Sequence, residues 1–428
     1  MAIEDSPLGD LPRGWTLPRL DAITLRIGSG ATPRGGSAVY LPYRERVALV
    51  RSQNVFDRRF DDDGLAFISD AAAEELAGVA LEADDLLLNI TGDGVTFGRA
   101  CMVPPSVLPA CVNQHVVRIR CDRKKCEPAY LLAYLTHPMV KHYIEGFNAG
   151  GSRRAITKGH IESFVVPLPP LPEQRAIARV LGGLDDKIEL NRRMNQTLED
   201  MARALFNDWL ERMEGELETV TTQSLTDSGV LVIGDGYRAK RSELRPTGLP
   251  FARAGNIDGG FQFTDCEYMG VDGVQAAGDK VSRPLDSVFT SKGTVGRLAL
   301  VSKSTPTFVY APQLCFWRAA DPSRLNPFVL HQWMHGDEFG EQVDMTKGQT
   351  DMADYVSLTD QRRMRITLPS PKRQAEVGRH LERLYGMMDQ NTTQIGTLAA
   401  LRDSLLPVLL SGELRLHHVS AAVKEVVA

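Results

Sequence analysis

The chain has 428 residues, 43% of them hydrophobic, with 54 Asp and Glu against 49 Lys and Arg, a formal net charge of −5. That length predicts two or three domains able to fold without disulfides or structural metals. The charge, taken alone, argues against a simple basic nucleic-acid binder. Residues 1–10 show no secretory leader and the longest apolar runs, such as 405–410, are too short for a membrane span, so a cytoplasmic location is expected.

In chain order, residues 1–165 carry short β-type runs at 47–50, 86–90 and 112–119, separated by Gly and Pro turns, and a helical stretch near 130–143. A Pro-rich lead at 167–172 opens a long helix within 166–216. Its expected seam is Ile177, Leu181, Leu184, Ile188, Asn191, Asn195, Leu198, Ala202, Leu205 and Trp209, and Gly215 closes it. The steps of four and three are those of a coiled coil. Residues 217–365 repeat the order of the first region, with strands at 230–233, 287–290 and 314–318 and a helix near 328–335. Ser370-Pro371 then starts a second helix within 366–416, with Val377, Leu381, Leu384, Met388, Asn391, Ile395, Leu398, Arg402 and Leu405 on its seam. Pro407 and Gly412 are expected to limit it, and 417–428 reads as a tail.

The two halves are one module written twice. Leu168-Pro169 returns as Leu368-Pro369 and Gln174 as Gln374, and most seam positions repeat at the same offset of 200. Upstream, Arg51 and Asn54 answer to Arg253 and Asn256, Gly98-Arg99 to Gly296-Arg297, and Gln114 to Gln313. Gly215-Glu-Leu217 likewise matches Gly412-Glu-Leu414, so the repeat reads as circular. The fold class predicted is α+β (α/β), with two globular domains, two long helices forming an antiparallel coiled coil of about 55–60 Å, and an internal pseudo-twofold repeat. Asn191 and Asn391 fall mid-helix. They either approach each other and fix the register or face solvent.

Catalytic apparatus is missing from the sequence. There is no G-x-x-x-x-G-K-[ST], G-x-S-x-G or H-E-x-x-H, and Cys101, Cys111, Cys121, Cys126, Cys266 and Cys315 lack metal-site spacing and read as reduced, mostly buried thiols. Gly234-Asp-Gly236 fits the start of a dinucleotide fingerprint, but Pro246, Gly248 and Pro250 interrupt the helix it would need. Asp84-Asp85 and Asp61-Asp62-Asp63 read as turn and surface clusters. No catalytic residue and no metal ligand is expected.

The loops instead carry side chains that suit nucleic acid. In the first module these are Ser29, Thr32, Arg34, Arg51, Gln53, Asn54, Arg99, Asn113, Gln114, Ser152, Arg153, Arg154 and Lys158. In the second they are Tyr237, Arg238, Lys240 (with Arg241 beside it), Arg253, Asn256, Lys292, Arg297, Gln313, Lys347, Gln349 and Thr350. Arg pairs with guanine and Asn or Gln with adenine through two hydrogen bonds, while Lys suits phosphate. For Arg51, Asn54, Arg253 and Asn256 the competing reading is a hydrogen bond internal to the domain at strand ends.

This pattern resembles the specificity subunit of type I restriction–modification enzymes. The resemblance rests on the domain–helix–domain–helix order, Val166-Pro-Leu-Pro-Pro-Leu-Pro-Glu-Gln-Arg175, Ile188-Glu-Leu-Asn191, Ile366-Thr-Leu-Pro369 with Gln374, and Ser404-Leu-Leu-Pro-Val-Leu-Leu-Ser-Gly-Glu413. Gly28-Ser-Gly-Ala-Thr-Pro33, Gly236-Tyr-Arg238 and Gly348-Gln-Thr350 also look like features of its target recognition domains. The resemblance implies a non-catalytic subunit that reads double-stranded DNA, each domain taking half of a split asymmetric target and the helices setting the spacer. It implies two methyltransferase subunits docked on those helices, restriction subunits joining them, and S-adenosylmethionine, ATP and Mg used by the partners and not by this chain. Pro-Ser-Pro371-Lys-Arg in place of Pro-Pro-Leu-Pro172-Glu makes the two helix starts unequal as docking surfaces. Two other readings compete: a coiled-coil interaction scaffold whose end domains do not bind DNA, and an enzyme with an unrecognised carboxylate site. No module is basic overall, since 1–165 carries 19 basic and 20 acidic groups and 217–365 carries 16 and 18. Weak DNA binding by the isolated chain is therefore expected.

Overall fold

The computed structural model describes residues 6–148, 153–263, 266–347 and 354–414. Ser152, Gln349, Thr350 and the tail 417–428 lie outside the described residues. The chain forms two compact units, one of residues 1–188 and 397–428 and the other of 189–396. Each of the two long helices contributes one segment to each unit.

Unit 1 is built on a four-stranded antiparallel sheet in the order Thr24–Ser29, Val116–Cys121, Leu86–Asn89, Ala100–Met102. A three-stranded sheet lies beside it, with Val47–Val50 central, Ala66–Ile68 antiparallel and Ala110–Val112 parallel to it. Val47–Val50 is buried along its whole length, which is why it reads as an unbroken apolar run rather than an alternating one. The stretch expected as one helix near 130–143 is two, Pro128–Leu135 and Pro138–Glu145, because Pro138 cannot continue the first and starts the second.

Unit 2 repeats this plan. Leu231–Asp235, Leu314–Ala319, Ser287–Thr290 and Leu298–Leu300 form the four-stranded sheet, and Leu249–Ala252 pairs parallel with Val309–Tyr310 in a second one. The helix Pro327–Met334 packs Trp333 against Trp317. Leu217–Thr221 and Arg365–Pro369 pair as strands, so the residues just ahead of the second long helix are extended.

The repeat reaches single side chains. Buried Gln174 accepts the Glu127 N–H at 2.9 Å and donates to the Pro169 carbonyl at 2.8 Å; Gln374 accepts the Asn326 N–H at 3.1 Å and donates to the Pro369 carbonyl at 2.9 Å. Glu127 and Asn326 each precede the proline that opens a domain helix, so one glutamine ties each long helix to its own domain. Buried Asp85 and Asp286 cap the turns at Glu82 and Arg283 and are forked by Arg120 and Arg318. Asp85 is thus a core residue and not part of a surface cluster, because the Arg120 fork compensates its buried charge.

The long helices run Leu171–Arg212 and Pro371–Leu410. The second continues through Pro407, which takes one N–H out of the ladder near its end, and Gly412 at φ 74° follows that end. In unit 1, Ile177, Leu181, Leu406, Leu409 and Leu410 share a core. In unit 2, Ala202 and Phe206 share one with Val377 and Leu381, so both pairings are antiparallel. Burying a leucine such as Leu181 contributes about 1.5–3 kcal/mol. Leu184, Ile188, Asn191 and Leu198 are buried, and Leu384, Met388 and Leu398 partly so. Toward each helix end the buried position moves one residue on, to Phe206 rather than Leu205 and to Leu406 rather than Leu405, both of which are half-buried. A 3.6-residue helix drifts from a strict heptad where it packs on a domain instead of a partner helix.

Asn191 and Asn391 are both buried, but each bonds a different residue of the facing segment. Asn191 donates to Gln394 at 3.2 Å and Asn391 to Asn195 at 2.9 Å. Asn195 in turn donates to the Met388 carbonyl at 3.3 Å and the Thr392 hydroxyl at 3.2 Å. The seam therefore holds a polar layer in which the antiparallel register sets Asn195, and not Asn191, opposite Asn391.

Candidate nucleic-acid interface

Register fixes where the candidate loops emerge. In unit 1, Ser29 pairs with Val117, Val116 with Asn89 and Leu88 with Ala100, so loops 30–34, 90–99 and 113–115 all leave one end of the sheet. Val50 pairs with Val112, which brings Arg51 to the same end. Arg154-Ala155 pairs with Gly92-Thr91 and adds the segment at 153–155. In unit 2, the pairs Asp235–Cys315, Thr290–Leu314, Phe289–Leu298 and Ala252–Tyr310 gather 236–240, 291–297, 311–313 and Arg253 in the same way. A bridge between Lys292 and Tyr355 supplies the last segment.

The strands Thr24–Ser29 and Leu231–Asp235 are each followed by a glycine at the junction of the two sheets. A Cβ on Gly30 would stand 1.9 Å from the Val112 carbonyl oxygen, and one on Gly236 would stand 1.9 Å from that of Ala311. Both glycines are thus required by close backbone approach. No α-helix starts at Gly236; residues 236–240 are irregular and a short 3-10 turn follows at Arg241–Glu243. The helix N-terminus that a pyrophosphate would need is not there.

Within this frame the candidates separate by environment. Arg34, Arg153 and Arg238 are exposed and make no hydrogen bond or ion pair among the described residues. Ser29, Gln53, Gln114, Lys240, Lys292 and Arg297 are also exposed. Arg99 lies 4.4 Å over the Phe56 ring, Arg51 lies 5.6 Å over Tyr40 and Arg253 5.3 Å over Phe251, while Arg297 donates to the Ile257 carbonyl at 3.2 Å. Thr32 bonds Gln114, whose amide approaches His115, and His115 bonds Thr91 at 2.8 Å. Burial, and then the charge of Arg153, hold the His115 pKa below the ordinary value. Gln313 has a buried side-chain oxygen without a partner among the described residues.

Several candidates do structural work instead. Buried Asn54 accepts the Arg51 N–H at 3.1 Å and donates to the carbonyls of Asp61 and Asp63; Asn256 accepts the Arg253 N–H at 2.8 Å and donates to that of Gln262. This is the competing reading raised for these strand ends, and it occupies both amides that would read adenine. Arg51 also donates to Gly64 and Arg253 pairs with Glu267. Asn113 is buried and accepts the His115 N–H at 3.1 Å. Tyr237 donates to Glu243 at 3.0 Å. Arg154 pairs with Glu145 at 2.6 Å, Lys158 with Glu162 at 3.2 Å and Lys347 with Asp344 at 2.5 Å. Tyr40 and Tyr355 join the interface without having been expected there, because only the fold brings them beside Arg51 and Lys292.

Among the described residues no group of three or more His, Cys, Asp or Glu is placed to hold a metal ion, and no helix is long and apolar enough to cross a membrane. Burial raises the thiol pKa values of Cys101, Cys111 and Cys315.

Fold and interface define a duplicated protein in which each α+β domain, carried on a long helix, presents cationic and amide-bearing loops at one end of its sheets. The family described as Type I restriction modification DNA specificity domain matches residues 73–200. A putative type I restriction enzyme MjaX specificity subunit of Methanocaldococcus jannaschii is 25% identical over 209 residues, 48% of this chain and 45% of that protein. The MjaIX specificity subunit of the same organism is 23% identical over 97% of both chains, and the EcoKI specificity subunit of Escherichia coli is 22% identical over 95% of this chain and 90% of its own. The crystal structure of a type I restriction–modification S subunit from M. genitalium superimposes with a TM-score of 0.55 at 15% identity, covering 94% of this chain and 98% of that one. Over nearly its whole length the chain is thus similar to type I restriction–modification specificity subunits, and it shares the fold of a solved one.

Proposed function

We propose that this chain is the sequence-reading subunit of a type I restriction–modification complex. The observation that carries the reading is the repeat-equivalent gathering of loops at one end of the sheets in each unit. Arg34, Arg153 and Arg238 offer free forks that suit guanine O6 and N7, the exposed Gln114 carries an amide that suits adenine once it leaves Thr32 and His115, and Lys240 and Lys292 suit phosphate. Each domain reads one half of a split, asymmetric double-stranded target. The paired helices set the unread spacer and dock two methyltransferase subunits.

Chemistry then belongs to the partners. Adenine methylation from S-adenosylmethionine falls to the methyltransferase subunits, and ATP- and Mg-dependent cleavage to restriction subunits that join them in the cytoplasm. The near-neutral balance of every module supports weak binding by the chain alone and affinity gained in the complex. The scaffold reading is not favoured, because the relatives over the full chain are specificity subunits.

Exchanging residues 217–365 for the equivalent region of a relative, followed by mapping of methylated adenines in the cell's DNA, tests this. One half-target should change and the other persist. A change in both, or in neither, would show the modular assignment to be wrong.

A further inference from the structure

In unit 1 a short hairpin, Val55–Phe56 with Arg59–Phe60, follows the Asn54 bracket. Its turn residue Arg58 is held at φ 59°, a left-handed conformation that a residue with a Cβ keeps only where its surroundings impose it. The backbone is fixed by the Arg58 N–H donating to the Ala100 carbonyl at 2.8 Å and by Asp57, which accepts the Ala100 N–H at 3.2 Å and pairs with Lys141.

The Arg58 side chain, 7% exposed, reaches away from the interface. It donates to Thr136 Oγ1 at 2.7 Å, to the Ala133 carbonyl at 3.5 Å and to Asp185 Oδ2 at 3.1 Å. Asp185 belongs to the first long helix, and its other oxygen accepts from Arg402 of the second at 2.8 Å. One carboxylate therefore receives the recognition domain on one oxygen and the neighbouring helix on the other. The opposite side of the hairpin supports the interface, since Phe56 underlies both Arg99 at 4.4 Å and Arg59 at 4.5 Å. The link belongs to one module. At the offset of 202 that aligns Arg51 and Asn54 with Arg253 and Asn256, Arg58 is replaced by Gly260, and at the helices' offset of 200 Asp185 is replaced by Tyr385, which accepts from Gln332 at 2.7 Å.

We propose that Arg58 is a positioning residue whose grip on Asp185 fixes the first recognition domain on the helix pair and so sharpens spacer-length discrimination. The inference rests on the reading that the helices set the spacer. It adds that the two modules are held with unequal stiffness.

The test uses the complex assembled with its methyltransferase subunits, acting on DNA whose two half-targets are separated by the native spacer or by one base pair more or less. Arg58→Gln and Asp185→Asn should each weaken the preference for the native spacer about tenfold, within the usual range of coupling between sites. The double variant should do no worse than either, because both remove one link. The bases read in each half-target should stay the same. Should Arg58→Gln fail to fold, Arg402→Gln removes the opposite half of the link and should loosen the spacer in the same direction. An unchanged spacer preference in folded variants overturns the proposal and leaves the DNA reading intact. A wild-type complex that methylates no split target overturns the DNA reading itself.

Discussion

Arg318 grips Asp286 through two nitrogens, Nε to Oδ1 at 2.6 Å and Nη2 to Oδ2 at 2.7 Å, with the carboxylate fully buried. Tyr310 adds a third donor at 2.7 Å. The first module repeats the fork with Arg120 and Asp85 at 2.7 and 2.7 Å, but there the arginine side chain is 20% exposed against 11% for Arg318. Removing one partner of a buried pair strands the other charge, so Asp286→Ala should cost about 3–5 kcal/mol. Asp85→Ala should cost less, since Arg120 can turn to water. Urea unfolding of the two variants checks the ranking; equal losses would mean that exposure does not set the cost.

Gly30 and Gly236 give a sharper contrast. Gly30→Ala and Gly236→Ala each force a methyl group to within 1.9 Å of a backbone oxygen, so the junction between the two sheets must open. Each should destabilise its unit by at least about 2 kcal/mol, at the upper end for single substitutions, and displace the loops at the interface. A Cβ on Gly28, one turn of the pleat earlier, meets nothing within 4 Å. Gly28→Ala should therefore leave both the unfolding midpoint and DNA binding by the complex near wild type. Comparable losses at Gly28 and Gly30 would contradict the packing account.

The repeat was legible because it is written in residues that hold structure. Gln174 and Gln374 stand out at an offset of 200 since each saturates the same backbone groups. The Arg51–Asn54 and Arg253–Asn256 pairs stand out for the same reason, which is why that similarity marks brackets and not base readers. Arg34, Arg153 and Arg238, which make no hydrogen bond or ion pair among the described residues, carry no such structural mark. The Arg58–Asp185–Arg402 link was invisible, because nothing in a heptad or an alternating pattern marks partners 127 and 217 residues apart.

The polar layer in the helix seam has its own stability signature. Asn391→Ala removes the donor at 2.9 Å from Asn195 and leaves a partly buried oxygen unmet, a loss of about 1–3 kcal/mol. Replacing Asn195 and Asn391 together by leucine removes both unmet groups and should recover most of that loss or exceed it, while relaxing the register the layer enforces. Thermal unfolding of the single and double variants decides this. A double variant less stable than Asn391→Ala would show that the layer contributes net stability.

His331 and His335 make unit 2 sensitive to acid. His331 is buried with Nδ1 unpartnered among the described residues, and its ring stands edge-on to His335 at 4.8 Å and to Tyr385 at 5.7 Å. Burial, then the charge of Arg203, lowers the His335 pKa to about 4; burial, then His335, puts His331 well below its ordinary value. In the unfolded chain both rings take protons near pH 6.5, roughly the reference value, while the folded unit refuses them until far lower. The unfolded state therefore binds more protons across that window. Stability is full above about pH 6.5 and falls as the pH drops toward 4, by about 1.4 kcal/mol per pH unit for each histidine. His335→Gln should flatten the slope of unfolding free energy between pH 6.5 and 5 by about half, since one of two titrating rings is gone. A wild-type slope unchanged by that substitution would place the acid sensitivity elsewhere in the unit.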